Sequence, residues 1–173
     1  MTIRLAGIEK HSAVNGPGIR YVIFTQGCTH ACQKCQNPET WNLNGGKEYP
    51  LDLLINDIFA TKFIDGITLS GGDPLLQSPI IIELCKKVKE RGLNIWCYTG
   101  FTFEEILSGK AGADAIEALK FIDVLVDSPF IVEKLSKECI FRGSSNQRLI
   151  DCKSSLDAGT TIEIKPETMD FGL

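Results

Sequence analysis

The feature that most constrains this chain is an alternation: short apolar runs of strand length take turns with longer stretches whose apolar residues recur at helical spacing. Tyr21-Val-Ile-Phe24 reads as a buried strand, bounded upstream by Asn15-Gly-Pro-Gly18. A helix is expected from Leu51 to Thr61, with Leu54, Ile55, Ile58 and Phe59 on one face. Gly66-Ile-Thr-Leu69 is the next strand, ended by Ser70-Gly-Gly-Asp-Pro74. From Pro79 to Arg91 the spacing gathers Ile81, Leu84, Cys85 and Val88 on one helical face, with Gly92 as the stop. Asn94-Ile-Trp-Cys-Tyr98 and Ile122-Asp-Val-Leu-Val126 are two further strands, separated by helical sequence between Phe103 and Leu119. Arg148-Leu-Ile-Asp151 and Thr160 to Ile164 are weaker strand candidates. The order β-α-β-α-β-α-β predicts an α/β fold of mainly parallel strands joined by right-handed crossovers. A complete eight-unit barrel takes about 250 residues, and the chain has 173. The expected architecture is a partial, open (β/α) barrel, built as a single domain over residues 1–173.

Bulk properties remove several function classes. Apolar residues make up 43% and charged residues 23%, and no run approaches the roughly 18 apolar residues of a membrane span, so no membrane partner is expected. A net charge of −4 gives no general attraction to nucleic acid. The run Lys86-Lys-Val-Lys-Glu-Arg91 reads as the solvated face of a helix. The first ten residues lack a long apolar core and a small-residue cleavage site, which predicts a cytoplasmic protein. In that reducing compartment the seven cysteines point to metal or redox chemistry wherever they cluster, rather than to disulfides. Cys85, Cys97, Cys139 and Cys152 stand singly and read as small buried hydrophobes.

Cys28-Thr-His-Ala-Cys32-Gln-Lys-Cys35 is the exception. One loop carries three thiols within eight residues, close enough to wrap a single inorganic cluster. An ordinary 4Fe-4S cluster takes four cysteines, whereas three leave one iron open to another ligand. The competing reading is a zinc site with His30 or a distant cysteine as fourth ligand, in a non-catalytic zinc- or cluster-binding module. Closed zinc sites favour paired Cys-x-x-Cys spacing, and no second pair exists in this chain. His30, two residues from Cys28, reads as a neighbour of the ligands rather than as one of them.

Cys-x3-Cys-x2-Cys directly after a short strand resembles the signature of the radical-SAM superfamily. Asn15-Gly-Pro-Gly-Ile-Arg20, Gln26-Gly-Cys28, Cys35-Gln-Asn-Pro-Glu-Thr-Trp41, Ser70-Gly-Gly-Asp-Pro-Leu75, Trp96-Cys-Tyr-Thr-Gly100 and Phe141-Arg-Gly-Ser-Ser-Asn-Gln-Arg148 narrow the resemblance to glycyl-radical activating enzymes. The last motif and the short length are most similar to the branch acting on the anaerobic (class III) ribonucleoside-triphosphate reductase, with activases of other glycyl-radical enzymes such as pyruvate formate-lyase as the nearest alternative. The resemblance implies a 4Fe-4S cluster on Cys28, Cys32 and Cys35, with S-adenosylmethionine (SAM) on the open iron. It implies reductive cleavage of SAM to methionine and a 5′-deoxyadenosyl radical, which oxidises a glycine of the large reductase subunit. A flavodoxin or ferredoxin would supply the electron. No side-chain acid, base or nucleophile is required beyond the cluster.

The remaining candidate site residues fall at strand ends. Cys28 follows the first strand, Gly71, Gly72 and Asp73 the second, Thr99 the third and Asp127 the fourth, and in a parallel sheet these ends share one edge, where ligands bind. By resemblance Gly71, Gly72 and Asp73 match the family's Gly-Gly-Glu element that holds the SAM amino group, with Asp73 a methylene shorter than the usual Glu. An ordinary strand-leaving turn is the alternative. Main-chain contacts to SAM are implied at Lys34 and Gln36, although Lys34 replaces the usual aromatic residue. Thr99 and Asp127 match positions near SAM where a monovalent cation can be held. Ser128 departs from the usual Gly there, and Asp127 alternatively caps a following helix with Pro129 in its first turn. The loop Arg142 to Arg148 offers polar donors to SAM or a partner, or else is a solvated turn.

Overall fold

A computed structural model describes residues 1–165. Seven strands form one sheet: β1 (Thr2–Ser12), β2 (Arg20–Thr25), β3 (Lys47–Pro50), β4 (Gly66–Gly71), β5 (Asn94–Tyr98), β6 (Val124–Asp127) and β7 (Arg148–Asp151). They lie in the order β3-β1-β2-β4-β5-β6-β7. The four strands expected from the alternation are the four central ones, and each pairs with the next in parallel. The flanks differ from a purely parallel fold, because β1 runs antiparallel to β2 and β3, and β7 antiparallel to β6. The protein is therefore a mixed α/β fold with a mainly parallel centre. Thr160 to Ile164 contributes only an isolated bridge from Glu163 to Ile150.

The helices are α1 (Leu51–Ala60), α2 (Ser78–Glu90), α3 (Phe103–Leu107), α4 (Ala113–Leu119) and α5 (Cys152–Ala158). The single helical stretch expected from Phe103 to Leu119 is two helices, because Gly109 (φ 84°) and Gly112 (φ 96°) adopt left-handed backbone between them. A capping box closes the start of α3, where Thr102 accepts from the Glu105 amide and Glu105 reaches back to the Thr102 amide.

Strand alternation sorts the side chains onto two faces. Tyr21, Ile23, Ile67, Leu69, Ile95, Cys97 and Leu125 point into one large core shared with apolar residues of all five helices, including Leu54, Ile81, Ile106, Ala118 and Cys152. The expected faces of α1 and α2 are the buried ones, with Phe59 only partly covered. The intervening residues Trp96, Val124, Val126 and Leu149 form a separate small cluster with Tyr98, Phe141 and Ile164. That second face receives irregular chain instead of an α-helix. Arg20 lies buried across it, bonding Thr68 Oγ1 at 3.1 Å and the Ile67 carbonyl oxygen at 2.5 Å, and burial lowers its pKa to about 10. The guanidinium thereby ties β2 to β4.

Candidate functional site

At the carboxyl edge of β2, β4 and β5, on the face without helices, lies a cavity of about 460 Å³. β2 delivers Cys28 to its wall. The main chain then turns twice through left-handed backbone, at Ala31 (φ 48°) and Lys34 (φ 55°), and brings Cys32 and Cys35 to the same wall. Such conformations cost non-glycine residues roughly 1–2 kcal/mol each, so the loop is held in shape by its surroundings. The Gly27 amide donates to Thr40 O at 2.7 Å, and the Cys35 amide to Cys32 O at 3.1 Å. Gln26 Nε2 donates to the carbonyls of Glu39 and Asn42. Gln77 holds Gln26 from behind, donating to its carbonyl at 3.0 Å while exchanging two bonds with the Arg4 backbone.

The thiols fit a thiolate-ligated cluster. All three are half-buried beside one cavity. Burial pushes up the pKa of Cys28 and Cys32, and the main-chain amides of His30 and Phe130, which face the two sulfurs, work against it. Such amides favour bound thiolates, and the Asn37 amide donates to Cys35 Sγ at 3.4 Å. Among the described residues no three His, Cys, Asp or Glu side chains converge on a point suited to one metal ion; these thiols instead flank a larger space.

Gln36, Gly71, Gly72 and Thr99 line the same cavity. The two glycines also meet a requirement that a loose turn does not have. A Cβ at Gly72 would lie 2.2 Å from Gly27 O, and one at Gly71 (φ 93°) would lie 2.6 Å from the Thr25 backbone. Their close approach allows the Gly72 and Asp73 amides to bond Thr25 O and Gly27 O at 2.8 Å, which docks the end of β4 on the cysteine loop.

Asp73 is fully buried and does not line the cavity. Its carboxylate accepts from the amides of Leu75 and Gly100, from Thr99 Oγ1, and from His30 Nε2 at 2.6 Å. It organises three loops around the site. Asp127, also fully buried and off the cavity wall, caps a helix other than the expected one. It accepts from Phe103, the first residue of α3, at 2.8 Å, and the chain between it and β7 holds a short 3-10 turn at Val132–Lys134 instead of an α-helix. Arg148 grips both its oxygens, at 3.0 and 2.5 Å. A positively charged group is thus already in place at Asp127. Ser128 keeps left-handed backbone (φ 79°), which gives a physical reason for glycine at this point. Lys34 is exposed and away from the wall.

The sequence reads Cys139 as a small buried hydrophobe, and Arg142 only as one end of a loop of polar donors. Cys139 is half-buried and faces the cavity, unlike Cys85, Cys97 and Cys152, which lie fully buried in the large core. Arg142 also lines the cavity, and its Nε is buried without a hydrogen-bond partner. Within Arg142 to Arg148, most other polar groups are spent on the fold of the loop. Gln147 Oε1 accepts from the Gly143 and Ser144 amides, its Nε2 donates to Ser128 O, and Asn146 donates to Pro129 O. The motif character of this stretch was the available signal, but sequence could not show that the Gln147 amide is spent on the loop while Arg142 Nε is left without a partner.

Residues 14–150 match the model of a family described as a 4Fe-4S single cluster domain. The anaerobic ribonucleoside-triphosphate reductase-activating protein of Escherichia coli K12 is 38% identical over 142 residues, covering 78% of this chain and 89% of that protein. This chain belongs to that family of activating proteins. The member from phage T4 is 37% identical, with 79% and 86% of the two chains covered, and that of Vibrio cholerae is 38% identical, with 78% and 88% covered. Residues 14–150, the stretch matched by the 4Fe-4S family model, contain every cavity-lining residue discussed above.

Proposed function

We propose that this protein activates an anaerobic ribonucleoside-triphosphate reductase by generating a glycyl radical on its large subunit. The observation that carries the reading is the gathering of Cys28, Cys32 and Cys35 from one loop onto the wall of one cavity. In this reading the three thiolates hold a 4Fe-4S cluster and leave its fourth position facing the cavity, where SAM binds. Together, cluster and SAM supply a one-electron cleavage that yields methionine and a 5′-deoxyadenosyl radical.

The chain's own part is to bind, orient and exclude water. Arg142 offers an unpartnered Nε to the carboxylate of SAM, an interaction strengthened by charge. Gly71 and Gly72 let the ligand approach the backbone closely, and Gln36 and Thr99 add polar groups on the remaining wall. Asp73 acts through Thr99 and His30. Lys34 contributes through its main chain, and Asp127 steadies the α3 end of the site. A monovalent cation near Asp127 has to share that carboxylate with Arg148.

The architecture supports a protein substrate. Helices cover one face of the sheet and irregular chain the other, as in a barrel wall, whereas a doubly wound sheet carries helices on both. We read the chain as one domain forming a partial, open barrel, whose gap admits a glycine-bearing segment of the large subunit. The protein works in the cytoplasm and receives its electron from a flavodoxin or ferredoxin.

Anaerobic reconstitution with iron and sulfide, reduction in the presence of SAM, and mixing with the large subunit test the reading. Methionine and 5′-deoxyadenosine should form, followed by a glycyl-radical EPR signal on the reductase. Cluster assembly without SAM cleavage would overturn the enzyme reading; cleavage without a radical on the reductase would overturn the choice of partner.

A further inference from the structure

The cavity has a fourth sulfur on its wall. Cys28, Cys32 and Cys35 reach it from the loop after β2, whereas Cys139 reaches it from the opposite side of the sequence, in the chain between β6 and β7. Cys139 belongs to neither apolar cluster and is half-buried, so the role of a small core hydrophobe does not describe it. Its neighbours in sequence, Leu135 at 62% and Ile140 at 44% exposure, are on the surface. Its own segment is held locally, by a bond from the Cys139 amide to Ser136 O at 3.3 Å and one from Ile140 to Glu138 O. Farther along, the Tyr98 hydroxyl anchors the chain at Phe141 O, 2.8 Å away. This is a tethered loop whose cysteine shares one cavity with the three thiols proposed to hold a cluster of a kind that ordinarily takes four cysteines.

We propose that Cys139 is a reversible fourth ligand, closing the open iron while SAM is absent and giving way when SAM arrives. The inference rests on the cluster and SAM reading above. In the capped state Cys139 gives its proton to solvent and its sulfur bonds the open iron. As the carboxylate and the amino group of SAM bond that iron, the SAM ammonium gives up a proton, the iron–sulfur bond to Cys139 breaks, and the leaving thiolate takes up a proton, so the exchange is proton-neutral. No electron is transferred in either direction. The cap keeps small ligands off the open iron between turnovers, and it lowers the apparent affinity for SAM to the intrinsic value multiplied by the uncapped fraction.

The test uses the full chain as wild type, Cys139→Ala and Cys139→Ser, all reconstituted anaerobically. Serine preserves the size of the side chain and removes the soft thiolate, so agreement between the two variants excludes a packing effect. Without SAM, Mössbauer spectra should show four similar, sulfur-ligated iron sites in the wild type and one distinct site in both variants. If about nine-tenths of the wild type is capped, both variants should bind SAM about tenfold more tightly. SAM should convert the wild-type spectrum to that of the SAM-bound variants. Indistinguishable SAM-free spectra and equal SAM affinities in all three proteins, each with its cluster assembled, would overturn this inference alone. Failure of all three to assemble a 4Fe-4S cluster would overturn it together with the reading on which it rests.

Discussion

His30 Nε2 lies 2.6 Å from Asp73 Oδ2, joining the cysteine loop to the loop that leaves β4. The His30 ring also meets Phe101 edge-on at 4.5 Å. A Cβ on Gly100 would fall 2.4 Å from that ring, so the glycine of Trp96-Cys-Tyr-Thr-Gly100 makes room for the contact. Asp73→Ala strands the Leu75 and Gly100 amides and the Thr99 hydroxyl, and removes the partner of His30. Leaving buried donors unpaired costs about 1–3 kcal/mol each, and urea denaturation of the reduced, metal-free chain should show the loss. A loss below 1 kcal/mol would mean that the carboxylate does not organise the loops.

Gly72→Ala should also act before any ligand binds. The added carbon meets a carbonyl oxygen of Gly27 at 2.2 Å, and backbone cannot swing aside as a side chain can. Gly100→Ala meets only the His30 ring. The expected order of thermal stability is therefore wild type above Gly100→Ala above Gly72→Ala, the last lower by several degrees, the scale of a 1–3 kcal/mol loss in a domain of this size. Equal melting temperatures for Gly72→Ala and wild type would leave close ligand approach as the sole reason for that glycine.

These two cases show what the sequence could disclose. Apolar runs revealed the four central strands, because a parallel strand buried on both faces is apolar throughout. β1 carries its signal in the alternation of Ile3 and Leu5, but long polar stretches around it dilute the pattern. β3, Lys-Glu-Tyr-Pro, is an edge strand in which only Tyr49 is partly covered, and it has no apolar signature. Strand ends marked the sheet edge at which the cavity lies, yet they did not tell wall from support: Asp73 and Asp127 lie at that edge fully buried and off the cavity wall. Cys139 was hidden because only the tertiary fold puts it on the same cavity as the other three cysteines.

Arg148 separates a buried from an exposed ion pair. It binds Asp127, which is fully buried, and Glu104, whose side chain is 56% exposed. Arg148→Ala leaves the Asp127 charge uncompensated and should cost about 3–5 kcal/mol. Glu104→Gln should cost about 1 kcal/mol or less. Arg148 and Thr161 hold the Glu104 carboxyl down to about 2, below an unfolded value near 4.3. Its contribution is thus present above about pH 4 and fades as pH falls toward 2. Denaturation curves of wild type and Glu104→Gln should differ at pH 7 and converge at the acid end; a gap that widens with acid would contradict this.

Thiol chemistry should divide the seven cysteines. Burial pushes the Cys85 thiol up to about 12 and raises Cys97 and Cys152 as well. In native, metal-free protein at pH 8, alkylation followed by mass spectrometry should therefore mark Cys28, Cys32, Cys35 and Cys139 first. The three core thiols should react only on unfolding. Unfolded thiols ionise near pH 8.5, so the stability from keeping these groups neutral is complete below that value and is lost as pH rises toward about 12. Labelling of Cys85 at the rate of Cys139 would place it outside the core.

The same division predicts cluster content. Cys28→Ala, Cys32→Ala or Cys35→Ala each removes one of three thiolates from a single loop, and the remaining pair cannot hold the cubane through the protein alone. Iron and sulfide bound after reconstitution should fall severalfold in each, and SAM cleavage with them. Cys85→Ala and Cys152→Ala lose only a buried group of about methylene size, roughly 1 kcal/mol, and should retain both cluster and cleavage. Metal content decides the matter independently of turnover. Equal loss of iron in all five variants would mean that the cysteines act through general stability, and the cavity would then have no special claim to the cluster.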